Sequence, residues 1–453
     1  MKMKVTDLKT KLFANPARVL VLGFGVVILI GTSLLMLPSA SQNQQSAGLV
    51  NALFTATSAV CVTGLVVVDT GTHWTIFGKT VIALLIQIGG IGFMSMATLF
   101  AVILGKKISL KERLLIQQAV GQNTLSGVVR FSLYLLALTF SLELMGAILL
   151  SFRFVPEYGF GTGVGYAFFH AVSAFCNAGF DLIGHGRSLT PYVTDPLVNF
   201  TIGALIILGG LGFTVILDII SHYKTRRFAL HTRLVLLMTA VLLLTGAVLF
   251  IMMEWNNPET MGDLHVWEKL QAGFFQSLTT RTAGFNTVDT GSLTTASQLL
   301  TVILMFIGGS PASTAGGIKT VTFGVMLIRA ISVIQGKENV EIFKRKIPFE
   351  VVNRAITILV IGLLMVVSVT MALSILEPGF SFMEVLFEVT SAFGTVGLST
   401  GITSSLGNPG KVLLIITMFA GRVGTLTIGF ALASRQSRYQ NLVHYAEERV
   451  LVG

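Results

Sequence analysis

Eight long apolar runs constrain the fold of this 453-residue chain more than any other feature. They lie near 19–37, 79–104, 128–152, 197–220, 233–253, 298–334, 355–376 and 411–433. Each has the roughly 20 residues that a helix needs to cross a bilayer. Only 11% of the residues are charged, against 53% hydrophobic. That is too little charge for the surface of a soluble domain this long. The chain is expected to be an all-α polytopic membrane protein. The first run, Val19 to Leu37, follows Lys2, Lys4, Lys9, Lys11 and Arg18 and precedes Pro38-Ser39-Ala40-Ser41, an arrangement that imitates a signal peptide. Its length fits a retained first span with a cytoplasmic N-terminus.

Four shorter, half-apolar stretches sit between the long ones, near 50–62, 165–176, 268–280 and 383–393. They are too short to span and are followed by Gly-containing turns. Such segments suit re-entrant half-helices, which a membrane tolerates only where protein or water satisfies the backbone. Charge gives the orientation. One set of loops carries Lys106, Lys107, Lys111 and Arg113, then Lys224, Arg226, Arg227 and Arg233, then Lys337, Lys344, Arg345, Lys346 and Arg354. The opposite loops are weakly charged or acidic, with Asp69, Glu157, Asp195, Glu254, Glu259, Asp263 and Glu377. The basic set belongs in the cytoplasm, and eight spans place both termini there. The net charge of +10 therefore reads as cytoplasmic loop charge. No motif points to nucleic acid.

The half-apolar stretches end alike, in Val62-Thr63-Gly64, Asn177-Ala178-Gly179, Thr282-Ala283-Gly284 and Thr395-Val396-Gly397. The four glycines recur every 105–115 residues. About 24–30 residues later each copy carries a small-residue cluster: Gly89-Gly90-Ile91-Gly92, Gly209-Gly210-Leu211-Gly212, Gly308-Gly309-Ser310-Pro311 and Gly421-Arg422-Val423-Gly424. Two features in phase across four copies predict four parallel helix–pore-loop–helix repeats around a pseudo-fourfold pore, with eight spans and four re-entrant half-helices. The division is a cytoplasmic N-terminus 1–18, repeats 19–110, 111–227, 228–345 and 346–433, and a cytoplasmic tail 434–453.

This pattern suits a cation. A dehydrated potassium ion needs several oxygen ligands, and backbone carbonyls supply them without fixed charge. Aiming consecutive carbonyls one way demands conformations that glycine reaches freely. The half-helices point their negative C-terminal ends inward. The triplets at 62–64, 177–179, 282–284 and 395–397 are thus the candidate filter.

Two departures break the repeat. Arg422 is a charge inside the last inner helix, where such residues usually face a cavity. It is read as a barrier or gate in the pore; the alternative is a structural arginine paired with a carboxylate or carbonyls. The segment 308–319, comprising Gly308, Gly309, Ser310, Pro311, Ala312, Ser313, Thr314, Ala315, Gly316, Gly317, Ile318 and Lys319, cannot be a continuous helix. It is read as an intramembrane gating loop. A phosphate-binding loop has different spacing and context.

Arg281 is expected near the outer mouth, either tying its half-helix to an acid or repelling ions. Cys61 and Cys176, each three residues before a filter glycine, are expected to be buried packing residues, though a disulfide stays open. Glu388 is expected to brace the fourth filter. Glu143, alone in an apolar outer helix, is the candidate for a coupled secondary transporter, with pairing to a neighbouring helix as the alternative. No catalytic constellation is present, and no transition-metal cluster.

Thr-Ala-Gly-Phe after Arg281, Asn-Ala-Gly-Phe at 177–180, Phe-Gly-Thr-Val-Gly-Leu at 393–398, Gly-Gly-Ile-Gly-Phe at 89–93 and Gly-Arg-Val-Gly at 421–424 resemble the Trk/Ktr/HKT potassium transporter superfamily. The likeness covers nearly the whole chain, and its eight-span length is similar to the bacterial Ktr membrane-subunit branch. The resemblance implies potassium uptake at the bacterial cell membrane by a homodimer with one pore per subunit. It implies a cytoplasmic ring of RCK-type subunits, of the KtrA or KtrC kind, that bind nucleotide. Stimulation by sodium is also implied, with no covalent cofactor. Gly64 at the first filter position implies selectivity for potassium over sodium. The family's pore-blocking arginine and intramembrane loop map onto Arg422 and residues 308–319.

Overall fold

The computed structural model describes residues 16–92, 95, 128–225 and 227–424. The stretch from Lys106 to Arg113, most of the N-terminus and the tail 434–453 lie outside the described residues.

The helices come in four successive groups. The first is α1 (Pro16–Leu35), α2 (Leu49–Cys61) and α3 (Ile76–Ile91). The second is α4 (Val128–Tyr158), α5 (Phe160–Phe175), α6 (Pro196–Leu211) and α7 (Phe213–Thr225). The third is α8 (Leu230–Glu254), α9 (Val266–Thr279), α10 (Thr295–Phe306) and α11 (Thr320–Ile334). The fourth is α12 (Phe349–Leu376), α13 (Phe382–Gly394) and α14 (Asn408–Val423). The one sheet among the described residues is a hairpin, β1 (Glu341–Ile342) against β2 (Arg345–Lys346).

The helix that opens each group is long and apolar enough to cross a membrane. These helices leave large apolar side chains uncovered: Leu29 is 62% exposed, Leu244 61% and Leu364 62%. A soluble protein does not expose apolar faces of this extent, and hydrocarbon is their natural solvent. The second helix of each group is short and mostly buried along its C-terminal half.

Helix ends follow local chemistry. Thr75 caps α3 by accepting from Gly78 N–H, and Asp195 caps α6 by accepting from Leu197 and Val198 N–H, with Pro196 at the first helical position. Ser381 and Glu384 form a reciprocal capping box on α13. The largest core joins the first group to the fourth: Phe54, Ile82, Val389, Leu414 and Met418 belong to one buried cluster. The two ends of the chain's helical order are therefore neighbours in space.

One expectation needs correcting. The sequence predicts unbroken inner spans except at 308–319. Instead α3, α6 and α14 each stop before a glycine in left-handed space, Gly92 (φ +87), Gly212 (φ +91) and Gly424 (φ +91). After Gly212 the chain turns by 96° into α7. α10 ends at Phe306, and the helix resumes as α11 at Thr320. In the third group the interruption runs from Ile307 to Lys319, while residues 96–104 and 425–433 of the first and last inner runs lie outside the described residues. Glycine there reads as a packing residue in a sequence, yet it also supplies a positive φ that an L-residue resists.

Candidate functional site

Each short helix ends in the same way. Beyond α2, α5, α9 and α13 the chain enters left-handed space at Val62 (φ +57), Asn177 (φ +57), Thr282 (φ +66) and Thr395 (φ +51), two residues before the glycine. Each such residue costs about 1–3 kcal/mol and persists only where its surroundings impose it. The next N–H turns back to its own helix: Thr63 to Ser58 O at 2.8 Å, Ala178 to Ser173 O at 2.7 Å, Ala283 to Thr279 O at 3.0 Å and Val396 to Ser391 O at 2.9 Å.

The glycines then close a ring. A Cβ built on Gly64 would meet Ala178 O at 2.5 Å and Gly179 Cα at 3.1 Å. One on Gly179 would meet Ala283 O at 2.8 Å and Gly284 Cα at 2.9 Å. One on Gly284 would meet Val396 O and, at 3.2 Å, Gly397 Cα; one on Gly397 would meet Thr63 O and, at 2.9 Å, Gly64 Cα. The order 64, 179, 284, 397 and back to 64 is cyclic. All four glycines also have positive φ, from +69 to +94. A side chain at any of them would be strained and would collide with the next strand.

Hydroxyls that sequence reasoning missed hold the strands. Ser58 Oγ accepts from Gly64 N–H and Ser391 Oγ from Gly397 N–H, both at 3.1 Å. Ser173 Oγ donates to Phe180 O and Thr279 Oγ1 to Phe285 O, both at 2.7 Å. Their signal was a small hydroxyl six, six, five and six residues before the glycine at 58, 173, 279 and 391. Glu388 accepts from Ser399 Oγ at 2.8 Å and from Thr403, bracing the strand after the fourth glycine.

Above the ring lies a cavity of about 440 Å³ lined by all four glycines together with Asp69, Asp181, Asp289 and Asn286. Burial and the nearby Asp69 charge push the Asp181 carboxyl up to about 6. Burial opposes the charge on Asp69 too, but hydrogen bonds from Gly186 N–H and from Thr72 hold its carboxyl below the ordinary value.

Below the ring, segment 308–319 folds back on itself. Gly308 N–H donates to Ile318 O at 2.8 Å, Thr320 N–H to Gly309 O at 3.0 Å, and Ser310 Oγ lies 3.1 Å from Thr320 Oγ1. The loop leans on the second group: Ser310 N–H donates to Gly210 O at 3.0 Å, Thr314 N–H to Gly209 O at 3.3 Å, and Phe213 N–H to Ala312 O at 3.0 Å. Lys319 Nζ donates to Ala315 O at 2.6 Å. Arg422 reaches across from α14, with Nη1 on Thr314 O and Nη2 on Gly89 O. Three groups thus meet at one guanidinium, whose partners are backbone carbonyls.

The inner-helix glycines pack against the ends of the short helices. A Cβ on Gly89, Gly209 or Gly421 would strike Val60 O, Phe175 O or Phe393 O. Gly308 meets Gly316 O of the loop instead.

Cys61 and Cys176 are buried free thiols. Cys176 Sγ lies 3.8 Å from Glu143 Oε1. Glu143 is 1% exposed, and Gln87 Nε2 donates to both of its oxygens, at 3.0 and 3.1 Å. Arg281 is 7% exposed and has no acid partner among the described residues, so of its two expected roles the tie to an acid is not made.

With this geometry in view, residues 4–440 match the model of the TrkH family, described as cation transport protein. The Ktr system potassium uptake protein B of Bacillus subtilis is 45% identical over 439 residues, covering 97% of each chain. The potassium/sodium uptake protein NtpJ of Enterococcus hirae is 42% identical over 442 residues, again 97% of each. In fold, the crystal structure of the potassium transporter TrkH from Vibrio parahaemolyticus gives a TM-score of 0.69 at 18% identity, over 90% of this chain and 84% of that one. The chain is a multi-pass membrane protein of the TrkH family of cation transport proteins, and not an enzyme.

Proposed function

We propose that this chain takes up potassium selectively across the bacterial cell membrane, by channel-like passage through a filter of backbone carbonyls on the axis of a pseudo-fourfold pore. The observation that carries this reading is the cyclic contact order of Gly64, Gly179, Gly284 and Gly397. Carbonyl oxygens from four strands converge there without a fixed charge, which suits a weakly held monovalent cation. The C-terminal ends of α2, α5, α9 and α13 add partial negative charge. The acids above the ring gather cations at the entrance. In this reading segment 308–319 and Arg422 form the gate, since loop and guanidinium lie beneath the ring and are held to each other. Relatives named for a Ktr system support a multi-component assembly. The working unit is proposed to be a homodimer on a nucleotide-binding RCK-type ring, stimulated by sodium, with both termini cytoplasmic.

The test is uptake in cells lacking their own potassium systems, with sodium and pH varied. Potassium-dependent rescue that is lost on substituting a ring glycine is expected. Proton-driven flux indifferent to those glycines would overturn the proposal. The potassium/sodium name of the Enterococcus hirae relative makes sodium the competing ion to measure.

A further inference from the structure

Between α11 and α12 lies an element that the ion pathway does not use. α11 closes at Gly336 (φ +67), where Gly336 N–H donates to Val333 O at 3.0 Å and Lys337 N–H to Ser332 O at 2.9 Å. The chain then makes the β1–β2 hairpin, pairing Glu341 with Lys346 and Ile342 with Arg345. Its root is fixed: Ile347 N–H donates to Val340 O at 2.9 Å, and both side chains are buried with Leu234, Met238 and Val325.

The tip is strained. Phe343 (φ +49) and Lys344 (φ +61) occupy the two central positions of a turn that Asn and Gly normally fill. Each left-handed residue costs about 1–3 kcal/mol, and strain kept on a rigid root is a sign of use. The tip displays an aromatic ring: Phe343 is 43% exposed. Lys337, Lys344, Arg345 and Lys346 are exposed and make no ion pair among the described residues.

The setting selects the partner. Apolar side chains stand uncovered at both roots, Ile334 at 85% and Phe349 at 67% exposure. They continue the exposed apolar faces of α11 and α12, through Ile331 and Ile356. Basic residues beside an exposed apolar face at the end of a span match the two signals that hold a segment to an anionic membrane surface. Ile334 and Phe349 stand at the ends of apolar helices that hydrocarbon covers, which sets the hairpin beside the headgroup layer.

We infer that the hairpin Glu341–Lys346 binds anionic phospholipid headgroups at the cytoplasmic surface through Lys344, Arg345 and Lys346, with Phe343 inserted beside them, and that this contact favours opening of segment 308–319. The second half rests on the gate reading above. Its basis is continuity: the segment ends at Lys319, α11 begins at Thr320, and α11 leads to the hairpin root. A pull at the root acts on the loop through one helix.

The full chain, reconstituted without any cytoplasmic partner, tests both halves in vesicles of phosphatidylcholine with none or roughly one-third phosphatidylglycerol. A Phe343→Trp variant, read against the native tryptophans, should be quenched more by brominated phosphatidylglycerol than by brominated phosphatidylcholine. Each basic residue is worth about fivefold in affinity for an anionic surface, so K344Q/R345Q/K346Q should weaken that preference on the order of a hundredfold. These side chains are exposed, and the substitutions leave the root intact. Rubidium flux should rise with phosphatidylglycerol in the parent and respond much less in the triple variant. Equal quenching by both lipids, or a preference that survives the triple substitution, overturns lipid binding. A triple variant altered only when a cytoplasmic protein is added assigns the hairpin to a protein partner and overturns it too. Preferential quenching with flux indifferent to lipid refutes the gating half. No rubidium flux in any vesicle defeats the transport proposal and takes the gating half with it, while the quenching still decides lipid binding.

Discussion

Arg422 on α14 donates through Nη1 to the carbonyl of Thr314, pinning the fourth inner helix to the segment that interrupts the third. Its other nitrogen holds Gly89 O, so the first inner helix is tied to the same group. Charge-assisted hydrogen bonds of this kind are worth about 1.5–3 kcal/mol each.

Arg422→Ala should therefore loosen the segment. Rubidium influx is expected to rise roughly tenfold, the equivalent of about one such bond, while preference for potassium over sodium is kept. Unchanged influx and ion dependence would remove Arg422 from the gate.

Shortening the segment should act in the same direction. Deleting Ser313 and Thr314 removes the Thr314 contacts to Gly209 and Arg422. Flux should increase without help from Arg422→Ala, because both changes break one latch. Lower flux in a well-folded deletion mutant would count against an occluding role.

The ring glycines should fail differently. Gly284→Ala places a methyl group against Val396 O and the Gly179 and Gly397 backbones, at a φ of +78. Uptake should be abolished although the protein reaches the membrane. Gly64→Ser sets a Cβ against Ala178 O at 2.5 Å, at a φ of +93, so uptake should fall, and in the uptake that survives the ratio of sodium to potassium influx should rise. A ratio equal to the parent's would show that position 64 does not select.

External acid should weaken uptake at low potassium. Asp181, with its carboxyl at about 6, is mostly charged at pH 7.5 and mostly neutral at pH 5. As the pH falls through about 6 the vestibule loses a negative charge, so the potassium concentration for half-maximal influx should rise. Asp181→Asn should show the acid value at every pH. A parent curve flat between pH 7.5 and 5 would exclude this role.

Glu143 separates a brace from a coupling site. Its carboxylate is bonded to Gln87 across the boundary between the first two groups. Glu143→Gln should keep potassium uptake and its indifference to the proton gradient. Glu143→Leu strands the Gln87 amide and should cost about 1–3 kcal/mol of stability, seen as a lower unfolding temperature in detergent. Loss of uptake in a stable Glu143→Gln protein would revive proton coupling.

Much of this arrangement was legible in the sequence because glycines in phase are hard to place otherwise. The four short helices end within a few residues of their expected positions, and 64, 179, 284 and 397 meet. The helix ends at Ile91, Leu211 and Val423 were not legible, since glycine in an apolar run signals packing and positive φ alike, and Gly89 and Gly92 sit three residues apart doing one each. Ser58, Ser173, Thr279 and Ser391 stayed hidden because a hydroxyl in a membrane helix usually bonds its own turn, as Thr32 does to Ile28 O. The acid expected for Arg281 is missing among the described residues, because proximity in space cannot be read from a charge in isolation. Arg422 was expected to act as a barrier in the pore or to pair with a carboxylate or carbonyls, and its partners are the carbonyls of Thr314 and Gly89.

The central claim is that a cation rests where the four strands converge. A crystal soaked in thallium or rubidium, with anomalous scattering recorded, tests it directly. Density on the axis at the level of Gly64, Gly179, Gly284 and Gly397 is the predicted result. Ordered heavy-ion density elsewhere in the subunit, with none at the glycines, would contradict it.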